Sequence, residues 1–187
     1  MVSLAQLWLP IVLSAVLVFV VSSLIHMVLK YHNSEYKKLS NEDAVRAAIN
    51  AGSPVPGQYI IPYVMGASEM KSPAVAQKLT EGPNGQLVLR APGLPKMGSF
   101  MGQWFVYTLV ISLLTALVAA HTVSYGAGHP YIFHVVGLVA FLGYAGSQAQ
   151  FSIWAGQPWS STLKAIFDGL IYALVTAETF SLLWPRM

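Results

Sequence analysis

Two long segments of this sequence contain no Asp, Glu, Lys or Arg, and they constrain the fold more than any other feature. Residues 1–29 form one and residues 97–163 the other. A third apolar stretch, Leu163–Trp184, is long enough to cross a bilayer, which takes a helix of about 20 residues. Only 9% of the residues are charged and 55% are hydrophobic, whereas soluble domains carry about 25% charged residues. The chain is therefore predicted to be an integral membrane protein.

The apolar stretches predict four transmembrane helices. The first is interpreted as a membrane helix rather than a secretory signal, because no Lys or Arg precedes it and its apolar run is too long. Hydroxyl residues of the second helix recur every three or four positions and predict a face that packs on other helices. The predicted helices are Leu7–Leu29, Phe100–Ala120, Pro130 to about Gln150, and Leu163–Trp184; the hydroxyl face is Tyr107, Thr108, Ser112 and Thr115, and small residues for close helix packing are Gly137, Gly143, Gly146 and Ser147.

Basic residues predict the orientation of these helices. Eight of the ten Lys and Arg residues lie from Lys30 to Lys96, so the positive-inside rule places residues 31–97 in the cytoplasm. Four crossings then leave the N-terminus and the C-terminus outside. Lys164 at an inner helix end agrees with this layout, and Arg186 at an outer end does not.

Residues 31–97 predict a small α+β cap. Ser40-Asn41-Glu42-Asp43 has the form of a capping box, starting a helix that Gly52 ends. Residues 58–61 and 86–89 are strand candidates, and Ser72-Pro73 starts a second helix to about Thr80. The predicted fold is thus an all-α membrane protein with four transmembrane helices and a small cytoplasmic α+β cap between helices 1 and 2. Its parts are residues 1–30, 31–97 and 98–187, and so small a cap is expected to lean on the membrane or a partner.

Three residues near the predicted outer face form a candidate metal site. Counting helix rise places His121, His134 and Glu178 in one layer, with His129 as a further candidate ligand. Histidine and carboxylate suit zinc or another divalent ion, and two histidines can instead hold a b-type haem. The alternative is that His121 and His129 are interfacial residues and that Glu178 bonds to a hydroxyl or to His134 within the bundle. No cofactor is predicted outright.

The predicted inner face has its own polar residues. His26 lies one turn before Lys30, and Asp168 one turn after Lys164, so His26 and Asp168 are expected to be near each other. Intramembrane ionisable residues are costly and mark function by default. The alternative is that Asp168 pairs with Lys164 on its own helix. Asp168 and Glu178 together also suggest a proton or small-solute path, with Tyr172 and Thr176 as intermediate groups.

Several functions find no support in the sequence. It has no G-x-S-x-G elbow, no P-loop and no dinucleotide glycine fingerprint, so an enzyme is not favoured. The basic residues are scattered among acidic ones, which argues against nucleic-acid binding. With no cysteine, a metal would need His and carboxylate ligands.

The connection between the third and fourth helices carries a family resemblance. Ser152-Ile153-Trp154, residues 159–164 and residues 167–172 resemble uncharacterised multi-pass membrane proteins of bacteria, as do residues 42–45 and 56–59. The resemblance implies a bacterial inner membrane location and no activity. The sequence therefore favours a non-catalytic accessory or scaffolding subunit, in the lipid bilayer with a protein partner or as a homo-oligomer. The alternatives are a metal- or haem-binding protein using the outer-face histidines and Glu178, and a conductor using Asp168 and Glu178.

Overall fold

A computed structural model describes residues 2–186 of the chain. Within that range four helical segments are long and apolar enough to cross a membrane: Leu4–Leu29, Met97–Thr122, His129–Ala155 and Trp159–Leu183. The structure confirms an all-α architecture with a small two-stranded sheet, which is compatible with an integral membrane protein. In chain order the elements are α1 (Trp8–Ser23), α2 (Glu42–Ala51), β1 (Gly57–Ile61), α3 (Ala67–Met70), α4 (Pro73–Glu81), β2 (Gly85–Leu89), α5 (Met97–Thr122), α6 (His129–Ala145), α7 (Gln148–Ala155) and α8 (Trp159–Leu183).

The chain forms two compact units. The first, called the bundle, comprises the described residues of Met1–Tyr36, Lys96–Ser152 and Pro158–Met187. The second, called the cap, comprises Lys37–Pro95 and Ile153–Gln157. In the bundle α8 packs on α6 and α1, and α5 packs on α1 and α6.

The bundle has small and hydroxyl-bearing residues inside and large apolar residues outside. Its buried polar side chains are mostly Ser and Thr, and most of their hydroxyls form hydrogen bonds within the protein. Leu, Val and Phe side chains face outward along the spanning helices. This distribution suits a hydrocarbon surround, where helices associate through close packing and interhelical hydrogen bonds. The buried Ser and Thr residues are Ser14, Ser22, Thr108, Ser112, Thr115, Ser161, Thr162, Thr176, Thr179 and Ser181.

Hydroxyl contacts join α1 to α5, as the spacing on the second predicted span indicated. Ser14 Oγ and Ser112 Oγ are 2.6 Å apart, and Ser112 also donates to the backbone carbonyl of Ile11 at 2.9 Å. Trp104 Nε1 donates to Ser22 Oγ at 2.8 Å. These bonds confirm that the polar face of the second predicted span packs against another helix.

Glycines set the close approach of α8 to α6. A Cβ placed on Gly137 of α6 would lie 3.3 Å from the Cβ of Ala177, and one on Gly169 of α8 would lie 2.8 Å from the Cβ of Ala145. The second distance is shorter than real Cβ contacts. The two helices are therefore closer at Gly169 than any side chain would permit.

The cap follows the predicted order of helix, strand, helix and strand. The strands β1 and β2 pair in antiparallel register from Gly57 with Leu89 to Ile61 with Gly85. Ser72 is the N-cap of α4 and Pro73 its first residue, as predicted. The prediction of a capping box at Ser40 was wrong, because the N-cap residue of α2 is Asn41 and no side chain makes a capping hydrogen bond to this helix. The sequence also missed the one-turn helix α3.

Candidate functional site

The first spanning helix ends in an unusual backbone geometry. Residues Leu24–Leu29 form a π-helical turn, in which Lys30 N donates to the carbonyl of Ile25, five residues back, at 3.2 Å. Such turns are rare and occur frequently at functional sites. Lys30 then adopts a left-handed conformation, with φ 52° and ψ 20°, which is uncommon for a residue other than glycine. The helix stops there, and a 3₁₀ turn, Tyr31–Glu35, lies against α8.

Asp168 of α8 lies at the centre of a polar cluster formed with these residues. The Tyr31 hydroxyl donates to Asp168 Oδ1. His32 Nε2 lies 2.8 Å from Asp168 Oδ2, and His26 Nε2 lies 3.5 Å from the same oxygen. The Asp168 side chain is only 5% exposed. A buried carboxylate is thus surrounded by groups that can donate hydrogen bonds, as a buried charge requires.

A second set of contacts holds the Tyr31–Glu35 turn in place. His32 Nδ1 lies 2.5 Å from Glu35 Oε1, so the His32 ring bridges two carboxylates. Lys164 Nζ donates to the Tyr31 carbonyl at 2.9 Å and to Ser34 Oγ at 2.7 Å, and lies 3.8 Å from Glu35 Oε1. Within the described residues, the ion pair of Lys164 is therefore with Glu35, whereas the sequence suggested Asp168.

The sequence predicted one part of this cluster and gave no prediction of the rest. It expected His26 near Asp168, and the structure places them 3.5 Å apart. It assigned Tyr31, His32 and Glu35 to the cap, whereas they belong to the bundle. On a continuous helix of about 100° per residue, His26 and His32 would lie on different faces. The break at Lys30 brings their ring centroids to 4.6 Å; the one available signal was a polar run directly after an apolar span.

The predicted outer-face residues lie in a different arrangement from the one expected. His129 Nε2 is 3.1 Å from Glu178 Oε2, and both side chains are nearly half exposed. The Nδ1 atoms of His121 and His134 lie 2.7 Å and 2.5 Å from the backbone carbonyls of Leu117 and Pro130. Of the described residues, only His26, His32 and Asp168 form a group of three suitable ligand side chains with all ligand atoms within 4.8 Å of one another. Metal binding by His121, His134 and Glu178 stays a prediction.

The groups suggested as a path between Asp168 and Glu178 make local contacts. The Tyr172 hydroxyl lies 3.4 Å from His26 Nε2, on the Asp168 side. Thr176 Oγ1 donates to the backbone carbonyl of Tyr172 at 2.8 Å. These contacts do not link the two carboxylates, and conduction stays a prediction.

Comparison of the chain with protein-family models, curated proteins and solved structures found no match.

Proposed function

We propose that this chain is a non-catalytic accessory or scaffolding subunit of the bacterial inner membrane, whose cap docks a protein partner on the cytoplasmic side. The observation that carries the proposal is the composition of the cap surface. All cap residues lie within the described part of the chain, and none of them is buried. Large apolar side chains are among the most exposed: Val55 is 72% exposed, Tyr63 71%, Met65 74% and Leu94 92%.

A unit of this kind is poorly stabilised on its own. Two paired strands are marginally stable in water without a packed apolar face. Domains of about 60 residues bury so small a fraction of their surface that their stability is marginal. The apolar side chains of the cap therefore favour an external surface that covers them. A protein partner fits better than an anionic lipid surface, because acidic residues are interspersed among the basic residues of the cap, which do not form a basic amphipathic helix.

The bundle supports a scaffolding role in a second way. Asp168 is surrounded by Tyr31, His32 and His26, and Glu178 is paired with His129. Both carboxylates of α8 thus have polar partners among the side chains of the same chain. The basic residues that flank the cap favour its cytoplasmic location by the positive-inside rule.

The size of the native particle tests the proposal. The chain is extracted from its own membranes in a mild detergent, and its mass is measured by size exclusion with light scattering after affinity purification. We expect a hetero-complex, or a homo-oligomer, clearly larger than one chain in a micelle. A strictly monomeric particle without a partner would contradict the proposal.

A matched pair of cap variants makes the test specific. Tyr63→Ser with Met65→Ser removes exposed apolar area and is expected to reduce the complex to the monomer. Arg46→Ser changes an exposed, charged cap residue, whose side chain is 68% exposed, and is expected to leave the complex intact. Equal loss in both variants would point to misfolding of the cap rather than to a docking surface.

A further inference from the structure

We propose that His26, His32 and Asp168 form a binding site for a divalent transition-metal ion, with zinc as the reference ion. Each of the three side chains offers one ligand atom within 4.8 Å of the other two, and His26 Nε2 and His32 Nε2 both lie close to Asp168 Oδ2. The site is distinct from the predicted outer-face residues and does not depend on the docking of a partner by the cap. Two imidazoles and one carboxylate are a common zinc ligand set when a fourth position is left open.

The distances between the ligand atoms fit such an ion. With metal–ligand bonds of about 2.0 to 2.2 Å, two ligand atoms of a tetrahedral zinc site lie about 3.3 Å apart. Asp168 Oδ2 is 2.8 Å from His32 Nε2 and 3.5 Å from His26 Nε2. Small side-chain rotations would therefore bring all three atoms to bonding distance of one ion. The Tyr172 hydroxyl contact with His26 Nε2, at 3.4 Å, is long and would be given up.

The groups behind the ligands are those that orient metal ligands in proteins. A metal-bound histidine almost always donates its other ring N–H to a carboxylate or carbonyl. His32 Nδ1 lies 2.5 Å from Glu35 Oε1, and Glu35 is in turn near Lys164 Nζ. The other oxygen of Asp168 accepts a hydrogen bond from Tyr31. Both ligands are thus oriented so that Nε2 and Oδ2 face the same point.

Charge and access also favour a cation. Asp168 and Glu35 bring two negative charges to the cluster and Lys164 one positive charge. The carboxylates thus outnumber the ammonium group, and a divalent ion bound by the two histidines and Asp168 would compensate for the excess negative charge. The His26 side chain is 49% exposed, so the cluster reaches the surface of the bundle.

The competing interpretation is a hydrogen-bonded clasp that only fastens the Tyr31–Glu35 turn to α8. The two interpretations differ in metal content, which can be measured directly. The full chain is purified in detergent with an affinity tag that contains no histidine, stripped with a chelator, and dialysed against Zn²⁺ or Co²⁺. We expect one ion per chain by elemental analysis, and visible Co²⁺ absorption typical of a four-coordinate site.

Variants assign the ion to this cluster. His26→Gln and His32→Gln are expected to weaken Zn²⁺ binding by more than the factor of about 10 to 100 that outer-ligand variants cost. Glu35→Ala, which removes a positioning residue, is expected to fall within that range. The matched control is His121→Gln with His134→Gln, which should bind as the unaltered chain does.

Three results would overturn the proposal. One is the absence of stoichiometric metal in the unaltered chain after dialysis. Another is undiminished binding in the His26→Gln, His32→Gln double variant. The third is loss of the ion in the His121→Gln, His134→Gln control, which would favour the outer face instead. Thermal unfolding of each variant without metal distinguishes the loss of a ligand side chain from the loss of the fold. Because His26 is half-exposed, its substitution is expected to disturb the fold least.

Discussion

His32 Nε2 lies 2.8 Å from Asp168 Oδ2, although 136 positions separate the two residues in the sequence. This contact, with the Tyr31 and Lys164 hydrogen bonds beside it, joins the Tyr31–Glu35 turn, which follows the first long helical segment, to the N-terminal half of α8. The bundle is thus closed at this turn by polar bonds.

Removing the Asp168 carboxylate should loosen that closure. Asp168→Ala is expected to lower the free energy of unfolding by about 1.5 to 3 kcal/mol, the usual contribution of a hydrogen bond to a charged group. Hydrogen exchange should increase selectively in the Tyr31–Glu35 turn. Glu178→Ala is the control on the same helix, and its nearly half-exposed pair with His129 should cost about 1 kcal/mol or less. Equal effects of the two variants would contradict the central role of Asp168.

The left-handed residue Lys30 gives a prediction about the backbone. Glycine adopts this conformation without a steric cost, so Lys30→Gly should retain the melting temperature of the unaltered chain. Lys30→Val introduces a β-branched side chain, for which a positive φ is a genuine outlier, and should lower the melting temperature below that of the Lys30→Gly variant. If Lys30→Val were as stable as Lys30→Gly in thermal unfolding, the turn would not require this conformation.

The approach of α8 to α6 at Gly169 predicts a steric effect. Gly169→Ala places a methyl group 2.8 Å from the Ala145 Cβ, and overpacking of this kind typically costs about 1 to 3 kcal/mol. Gly102→Ala is the matched helical control, because nothing lies within 4 Å of the position that its methyl group would take. That variant should be neutral or slightly more stable, since alanine favours helix more than glycine does. Equal melting temperatures for the two variants would show that the helices separate easily.

The hydroxyl pair between α1 and α5 predicts a smaller effect. Ser14 Oγ and Ser112 Oγ are 2.6 Å apart and buried, and interhelical hydrogen bonds in membrane proteins contribute about 0.6 kcal/mol on average. A double-mutant cycle with Ser14→Ala and Ser112→Ala should give a coupling energy of about that size. A coupling energy of zero would mean that the two hydroxyls contribute independently.

The absence of native cysteine allows a direct test of orientation. Ser68→Cys in the cap should react with a membrane-impermeant maleimide only after the cells are opened. Ser124→Cys, between α5 and α6, should react in intact cells. The reverse pattern would overturn the cytoplasmic assignment of the cap and, with it, the proposed location of the partner.

Several structural features followed directly from local sequence patterns. Apolar length indicates which segments form helices long and apolar enough to cross a membrane. All four were identified to within a few residues apart from the third, which continues through α7 to Ala155. Hydroxyl spacing identified the α5 face that meets α1. Ser72-Pro73 and Gly52 marked helix ends in the cap because these residues suit those positions for local reasons of backbone geometry.

The sequence indicated the contact of His26 with Asp168, but no local pattern indicated that His32 would join them. His26 and His32 would face different directions on one helix, and only the π turn and the left-handed Lys30 bring them together. The sequence likewise paired Asp168 with Lys164 because they are four residues apart, whereas Lys164 reaches the Tyr31–Glu35 turn. Such contacts depend on the residue at which a helix ends and on the element that the following turn packs against.

By itself the sequence determined which segments are apolar, which helix faces carry hydroxyls and which residues punctuate the cap, because each depends on side-chain chemistry within a few neighbours. Only the tertiary structure decided that His32 meets Asp168 beside the expected His26, that Lys164 bonds the Tyr31–Glu35 turn, and that Glu178 pairs with His129. Those outcomes depend on contacts between residues far apart in the sequence. Where a helix ends at one residue, as at Lys30, the side chains that follow it point in directions that helical periodicity does not predict.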